Sequence, residues 1–414
     1  WLIPFTGEPR AFLPLMAIKQ AAKGKVRPVL GYRAVNEFVS SHTAGSLVCA
    51  EKLRKWRRMG KSVELIDLKR AYLQIKLDRS LWPYQVIRHA GQEWCLTRLG
   101  FGLNVAPKIM RCIMSHILNS DKRVAEATDS YYDDVIVDTG KVPVEHVVAI
   151  FNSFGLETKP PVKINGGRVL GLAVREINGE LRWTRDGKVP DLPDQLTRRK
   201  LFSWVGQLTG HFPVCSWLRP ACSFLKRMAS GGEWDDAVGP RVVDLAEKLR
   251  KRLESEDPVT GRWDVPDCRQ GRVWCDASSI ATGISVEIGE EVVEDASWLR
   301  KEDDAAHINL AELEAANEAI KAAVAWGLND FDLMTDSSTV FRWMTNAMRG
   351  DGPIRSHEMS ELLVKRRIST IKKTIEEEQL QVKFKLIGLA ENKANRLTRV
   401  PSDWLTVVRA DANH

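Results

Sequence analysis

No stretch of the 414-residue sequence approaches the ~18 to 20 unbroken apolar residues of a membrane-spanning helix. The longest candidate, around Ala322-Ala323-Val324-Ala325-Trp326, belongs to an amphipathic helix instead. A signal peptide is also missing, and a chain opening on Trp1 rather than Met reads as a processed or excised piece. Cysteine is sparse: seven residues, an odd number, with no CxxC pair. That argues against structural zinc and for a reduced, intracellular compartment. No internal repeat or low-complexity tract is present. Neither sign of charge dominates, since 61 Lys+Arg against 54 Asp+Glu leave +7 and a pI near 9.0. The balance is compatible with a polyanionic partner and lifts nucleic acid only modestly. What is present is ordinary for a soluble globular protein, with 44% apolar and 28% charged residues. The length calls for two to four structural units.

The first ~175 residues mix short strands with helices. Residues 25–33 read as a strand, and 63–68 as an apolar strand ending on a carboxylate. Pro107 to Leu118 reads as a helix with Pro near its first turn, where the missing N–H costs nothing. Residues 168–174 read as a further strand. From about 195 to 255 the pattern is helical, with segments at 198–210, 215–229 and 241–254. Arg198, Arg199, Lys200, Arg219, Lys226 and Arg227 make the first two basic. Turn-rich residues 256–261 and 267–271 punctuate a linker. A second block follows, with three strands to Leu299, a helix at 310–327, a strand at 331–334, helices, and a strand at 381–387. Three strands before the first helix predict a mixed rather than doubly wound sheet.

The stretch "SYYDDVIVD", Ser130 to Asp138, places Asp133 beside Asp134 at a hairpin tip with an apolar run behind. Acidic tips are common surface turns, because Asp is a turn former. The alternative is a divalent cation shared with a third carboxylate. Asp67, which ends the strand "VELID", is the candidate third. Three carboxylates on adjacent strand ends would raise one another's pKa. Two Mg2+ ions about 3.5–4 Å apart would relieve that repulsion and clamp the oxygens of an in-line phosphoryl transfer. A calcium loop is excluded, since its alternating acidic ligands and central Gly are missing.

The stretches "IDLKRAYLQI", "GFGLNVAP" and "YYDD" resemble, in order and spacing, the reverse transcriptases of retroviruses and gypsy-type LTR retrotransposons. "KVRPVLGYRAVN" is similar to their fingers strand, "LETKPP" to a segment near the nucleotide phosphates, "RVLGLAV" to the primer grip and "WVGQLTGHF" to the thumb helix. The resemblance covers ~230 residues. It implies Asp67 and Asp133 as principal metal ligands, with Asp134 completing the acidic cluster. Tyr72 would be a steric gate whose ring excludes a 2′-OH. Lys25 and Arg27 would meet the triphosphate. Ala71, Phe101 and Gly102 would line the nucleotide, the glycine allowing close backbone approach. Lys159 would protonate the leaving pyrophosphate. Leu170 and Gly171 of the grip, Gly206 and Gln207 of the thumb, and Arg219 would contact nucleic acid. Retroviral relatives carry an aromatic where this chain has Gly210.

A second acidic set lies in the C-terminal block. Asp276 ends the strand "VWCD", Glu312 stands in a helix first turn, and Asp336 ends the strand "LMTD". Acidic residues in a first turn ordinarily serve the helix dipole. Three such carboxylates on a β-β-β-α-β-α-β-α core are similar to ribonuclease H, which cuts the RNA strand of a hybrid with two metal ions. Glu312, rather than Glu314, fits that family's E-L-x-A motif. "ENKANRLTRVP" departs from the retrotransposon signature: Asn395 replaces the expected Asp, and no His precedes it. Loss of that charge is expected to reduce cleavage more than it disturbs the fold.

The resemblance therefore implies a multidomain α/β and α+β chain, a right-hand polymerase followed by a ribonuclease H-like mixed α/β domain. The expected divisions are fingers and palm at 1–175, thumb at 176–255, linker at 256–270, ribonuclease H-like domain at 271–405 and tail at 406–414. The implied activity is RNA- and DNA-templated synthesis of DNA from dNTPs. Implied cofactors are Mg2+, two ions in the polymerase site and up to two in the ribonuclease H site, with Mn2+ as substitute. Implied partners are RNA–DNA hybrid and duplex template-primer, bound with strong salt dependence, and no membrane. The implied setting is cytoplasmic virus-like particles, as a monomer or a dimer formed on substrate. A catalytically silent nucleic-acid scaffold and an RNA-directed RNA polymerase are the alternatives. The intact Asp67, Asp133 and Asp134 argue against the first, and Tyr72 with the ribonuclease-like block against the second.

Overall fold

In a computed structural model, residues 1–20, 24–40, 49–266, 270–301, 307–350 and 361–405 are described. The expected tail at 406–414 and residues 267–269 of the expected linker lie outside them. The chain divides into two compact units, residues 1–52 with 61–167, and residues 53–60 with 168–414.

The first unit is organised around a four-stranded antiparallel sheet. Strand β1 (Val63–Asp67) pairs with β3 (Asp134–Asp138), which pairs with β2 (Thr128–Tyr131), and Val162–Lys163 flanks β1 on its other side. Val135, Ile136 and Val137 are all fully buried, so β3 is covered on both faces. Val135 and Val137 pack with Met110, Met114 and Phe151, from helix α1 (Ala106–Leu118) and the helix Val144–Ser153. Each such side chain contributes about 1.5–3 kcal/mol by leaving water. The polar tip of the hairpin is thereby fixed by an apolar base. Pro107 lies in the first turn of α1, as its missing N–H favours. Two smaller sheets complete the unit: Leu2–Pro4, Gln92–Leu96 and Val86–His89 form one, and the hairpin Leu15–Gln20 with Lys25–Leu30 the other. The strand expected at 25–33 ends at Leu30, and Arg33–Asn36 turns helical.

The second unit begins with a correction. Residues 168–174 are not one strand but a hairpin, Arg168–Val169 against Leu172–Ile177. Leu170 and Gly171 take positive φ of 48° and 85°, which reverses the chain. Glu180–Arg185 and Thr260–Arg262 extend this sheet. Helices α2 (Arg198–Thr209), α3 (Leu218–Met228) and α4 (Pro240–Ser255) follow. Thr197 caps α2 by accepting from the Lys200 N–H, and Pro240 starts α4 at a position where it costs no hydrogen bond.

The C-terminal block has the mixed sheet that three leading strands predict. Strands β4 (Gln270–Ala277), β5 (Ala281–Ile288) and β6 (Glu291–Leu299) are antiparallel, whereas β7 (Asp330–Thr335) and β8 (Gln381–Leu386) join β4 in parallel. The spatial order is β6-β5-β4-β7-β8. Helix α5 (Ile308–Ala325) buries Leu313, Ala316, Ala319, Ile320 and Ala323. Those residues share a core with Val364, Ile368 and Ile371 of helix α7 (Glu361–Glu377), and with Val340 and Met344 of helix α6 (Ser338–Arg349). Arg57 is buried in the same unit and donates to the carbonyls of Arg262, Trp263 and Val293. Its burial pulls the guanidinium down to about 10, still charged at neutral pH. No described helix is long and apolar enough to cross a membrane.

Candidate functional site: two acidic centres

In the first unit, strand pairing sets the positions of the aspartates. Asp67 and Asp134 are register partners across β1 and β3, and Tyr131 partners Asp134 from β2. Tyr132 and Asp133 form the turn, with Tyr132 at a positive φ of 54°. The Leu68 N–H reaches the Asp133 carbonyl at 3.4 Å, tying the tip to β1. Crowding by protein atoms, then the Asp67 charge, raises Asp133 above its ordinary value. Asp134 keeps solvent access on one side, yet crowding and the charges of Asp133 and Asp67 push it up to about 6. Lys159 counters both effects, and its ammonium pairs directly with the Asp67 carboxylate. The three carboxylates sit on neighbouring strand ends, but they do not gather as tightly as the second centre does.

Of the residues expected around a nucleotide, Arg27, Phe101 and Tyr72 form one run of ring contacts. Ala71, at a positive φ of 31° and buried, opens the turn Ala71–Gln74 that presents Tyr72. The Tyr72 ring meets Phe101 edge-on at 4.9 Å, and Arg27 lies over the Phe101 face at 5.6 Å. Burial, then the Asp133 charge, pushes the Tyr72 hydroxyl up to about 12, so it stays neutral. Gly102 has φ +101°, a conformation that suits glycine, and its carbonyl accepts from the Asn36 amide at 2.9 Å. Lys25 is exposed at the start of its strand.

Sequence reading missed what holds Phe101 and Gly102 in place. Tyr32 donates its hydroxyl to Gln85 at 2.6 Å inside the unit. A Cβ on Gly100 would lie 1.8 Å from that hydroxyl oxygen, so the segment approaches more closely than any side chain permits. Two glycines bracketing Phe101 in "LGFGLN" were the available signal.

Leu170 and Gly171 form the tight turn of the second unit's first hairpin. Gly206 faces open space, and Gln207 beside it is exposed. Arg219, expected to contact nucleic acid, is engaged within its own unit. Its guanidinium donates to Asp295 at 2.6 Å and to the Phe212 carbonyl at 2.5 Å, and the Asp295 side chain is only 1% exposed. A sequence cannot show that a basic helix residue faces inward when its partner lies 76 residues away.

In the C-terminal block, Asp276 on β4, Glu312 on α5 and Asp336 after β7 converge. Among the described residues these three alone form a metal-capable acidic or His/Cys group, with ligand atoms within 4.8 Å of one another. Asp276 and Glu312 are buried. Burial, then the charges of Asp276 and Asp336, pushes Glu312 up to about 8. Its Oε2 is buried without a hydrogen-bond partner. An orphaned carboxylate oxygen beside two other carboxylates is a donor set that fits a hard divalent cation.

Two neutral side chains support this centre and were not foreseen. The Thr398 hydroxyl donates to Asp276 at 2.5 Å, and the Asn392 amide donates to Asp336 at 3.1 Å. Both stand inside the quoted "ENKANRLTRVP" stretch, but nothing in that pattern marked either as a partner of the carboxylates. Asn395 is partly buried, and its Oδ1 lacks a partner.

Comparison with known proteins adds the fold. Solved structures of the foamy viral protease-reverse transcriptase are similar to this chain. In complex with double-stranded DNA, one (dRH) has a TM-score of 0.71 at 16% identity, covering 94% of this chain and 67% of the other. A second complex with double-stranded DNA has a TM-score of 0.68 at 16% identity, covering 93% and 79%. The complex with RNA/DNA hybrid has a TM-score of 0.65 at 15% identity, and the chain spans about half of that protein, 52%. The fold is thus a mixed α/β multidomain one of the retroviral reverse-transcriptase type. A family model described as a domain of unknown function, DUF7047, matches residues 197–255. No curated protein matches in sequence.

Proposed function

We propose that the chain is a reverse transcriptase of the gypsy-type LTR retrotransposon kind, with residues 1–175 as fingers and palm, 176–255 as thumb and 271–405 as a ribonuclease H-like domain after a linker at 256–270. The observation that carries this reading is the register pairing of Asp67 with Asp134 beside Asp133 at the hairpin tip. The likeness of the fold to proteins solved with double-stranded DNA and RNA/DNA hybrid supports it.

Asp67, Asp133 and Asp134 would hold Mg2+, which when bound supplies Lewis-acid activation of the primer hydroxyl and charge neutralisation at the phosphates. The protein's own groups do the rest. Arg27, stacked over Phe101, meets the triphosphate together with Lys25. Tyr72, braced edge-on by Phe101, fills the space a 2′-OH would need. Lys159 gives its proton to the departing pyrophosphate oxygen. Gly206, with open space above it, lets a duplex backbone approach α2 closely, next to Gln207. Leu170 and Gly171 present the hairpin turn that grips the primer strand.

In the C-terminal block Asp276, Glu312 and Asp336 would bind the same kind of cation. Asn395 brings no charge there, so hybrid is bound and cleavage is reduced. Restored cleavage in Asn395→Asp is the expected result, and equal cleavage by the two proteins would remove the assignment.

The test of the main reading is extension of a labelled DNA primer on an RNA template with Mg2+ and dNTPs. Extension by the parent and none by Asp133→Asn is expected. Failure of both with hybrid binding intact would leave a silent nucleic-acid scaffold.

A further inference from the structure

The loop that carries Lys159 is held by a side chain to which no role has been given. Residues 157–159 run antiparallel beside the end of β1. The Lys159 N–H donates to the Asp67 carbonyl at 2.8 Å, Leu68 and Thr158 form an isolated bridge, and the Lys69 N–H donates to the Glu157 carbonyl at 3.0 Å. At the outer end Gln74 takes over. Its amide nitrogen donates to the carbonyls of Lys69 at 2.7 Å and Glu157 at 2.9 Å, and its amide oxygen accepts from the Glu157 N–H at 2.7 Å. One primary amide thus occupies three main-chain groups on two segments, acting as a strand partner would. Gln74 closes the same short turn that presents Tyr72.

That clamp matters because the Lys159–Asp67 pair cannot place itself. Both side chains are substantially exposed, at 55% and 42%, and exposed ion pairs hold little on their own. The position of the ammonium is set by backbone register, and a slip of one residue would turn Lys159 to the opposite face. The ladder that fixes the register is short. The Lys69–Glu157 ion pair beside it is also exposed. Gln74 therefore supplies the contacts that fix Glu157, two residues before Lys159.

We propose that Gln74 is a positioning residue for nucleotide transfer: by registering residues 157–159 on β1, it sets the Lys159 ammonium at Asp67. Its catalytic consequence rests on the polymerase reading, whereas the clamp itself does not.

The test compares Gln74→Met, which keeps length and loses the amide, with Lys159→Ala and the double variant. Two measurements are made on each: single-nucleotide incorporation with Mg2+ across a dNTP titration, and backbone hydrogen exchange. Gln74→Met is expected to lower kcat by roughly tenfold or more while KM for dNTP stays within about twofold. The double variant should be no slower than Lys159→Ala, as for two residues acting through one group. Amide exchange should accelerate at Lys69 and Lys159 and stay unchanged at Val135 to Val137, which shows that the fold persists. Additive losses, a kcat equal to the parent, or unchanged exchange at Lys159 would overturn the proposal. A parent that extends no primer would instead overturn the polymerase reading, and the exchange measurement would still decide whether Gln74 places Lys159.

Discussion

Asp67 and Asp134 face each other in register across one antiparallel strand pair, and that pair lies at the centre of its sheet. Central strands are fixed from both sides, so the two carboxylates cannot drift apart to relieve their repulsion. Burial first, and then the charges of the neighbouring carboxylates, push Asp134 up to about 6 and raise Asp133.

A competition between protons and Mg2+ follows from those raised values. A raised carboxyl takes up its proton as pH falls through about 6, and only the ionised form binds a hard cation. The Mg2+ concentration giving half-maximal primer extension should therefore rise between pH 7.5 and pH 5.5, by about threefold or more for one titrating ligand. Saturating Mg2+ should recover most of the loss. Parallel Mg2+ titrations at the two pH values check this, and an unchanged requirement would separate Asp134 from metal binding.

The C-terminal centre makes the converse prediction about stability. Glu312 has an ordinary value of 4.5 and a folded value of about 8. Between those values the folded protein binds the proton more tightly than the unfolded chain, so its contribution to stability falls as pH rises. Glu312→Gln removes the charge that must be buried at high pH. In chelator, the variant should equal the parent near pH 4.5 and exceed it at pH 8, by on the order of a few kcal/mol. Adding Mg2+ at pH 8 should stabilise the parent more than the variant. Urea titrations under the three conditions provide the test.

Much of both centres was legible because the chemistry sits at element ends that hydrophobic patterning marks. Val63 to Asp67 and Asp134 to Asp138 read as apolar strands bounded by carboxylates, and the sheet pairs them as such. The three leading strands of the C-terminal block announced its mixed sheet. What stayed hidden depends on backbone sign and on partners distant in sequence. The turn at Leu170 and Gly171 was missed because Leu at positive φ runs against its own preference. Thr398 lies 122 residues from the Asp276 it supports, and Gln74 lies 83 residues from Glu157. Neither Thr nor Gln carries a pattern that announces such a contact.

Tyr72 offers a test of sugar selection. Its ring is braced by Phe101 at 4.9 Å, so it cannot swing aside without losing that edge-on contact. Tyr72→Ala should raise the kcat/KM for a ribonucleotide relative to its deoxy counterpart by about a hundredfold, typical of opening a tight pocket. Phe101→Ala should raise it less, because it frees the ring without removing it. Paired incorporation assays with dNTP and rNTP measure the ratio, and a ratio unmoved in Tyr72→Ala would end its assignment as a gate.

Arg219 separates an internal role from a nucleic-acid one. Asp295 is almost fully buried and takes hydrogen bonds from Arg219 and from the backbone N–H groups of Cys215 and Ser216. Removing the guanidinium leaves that charge buried and uncompensated, which costs about 3–5 kcal/mol in comparable cases. Arg219→Ala should lower the urea midpoint accordingly, and Asp295→Asn in the same chain should recover part of the loss. Because the side chain is spent inside the protein, hybrid affinity measured where the variant is folded should match the parent. Weaker binding with an unchanged midpoint would return Arg219 to the nucleic-acid surface that its basic helix suggested.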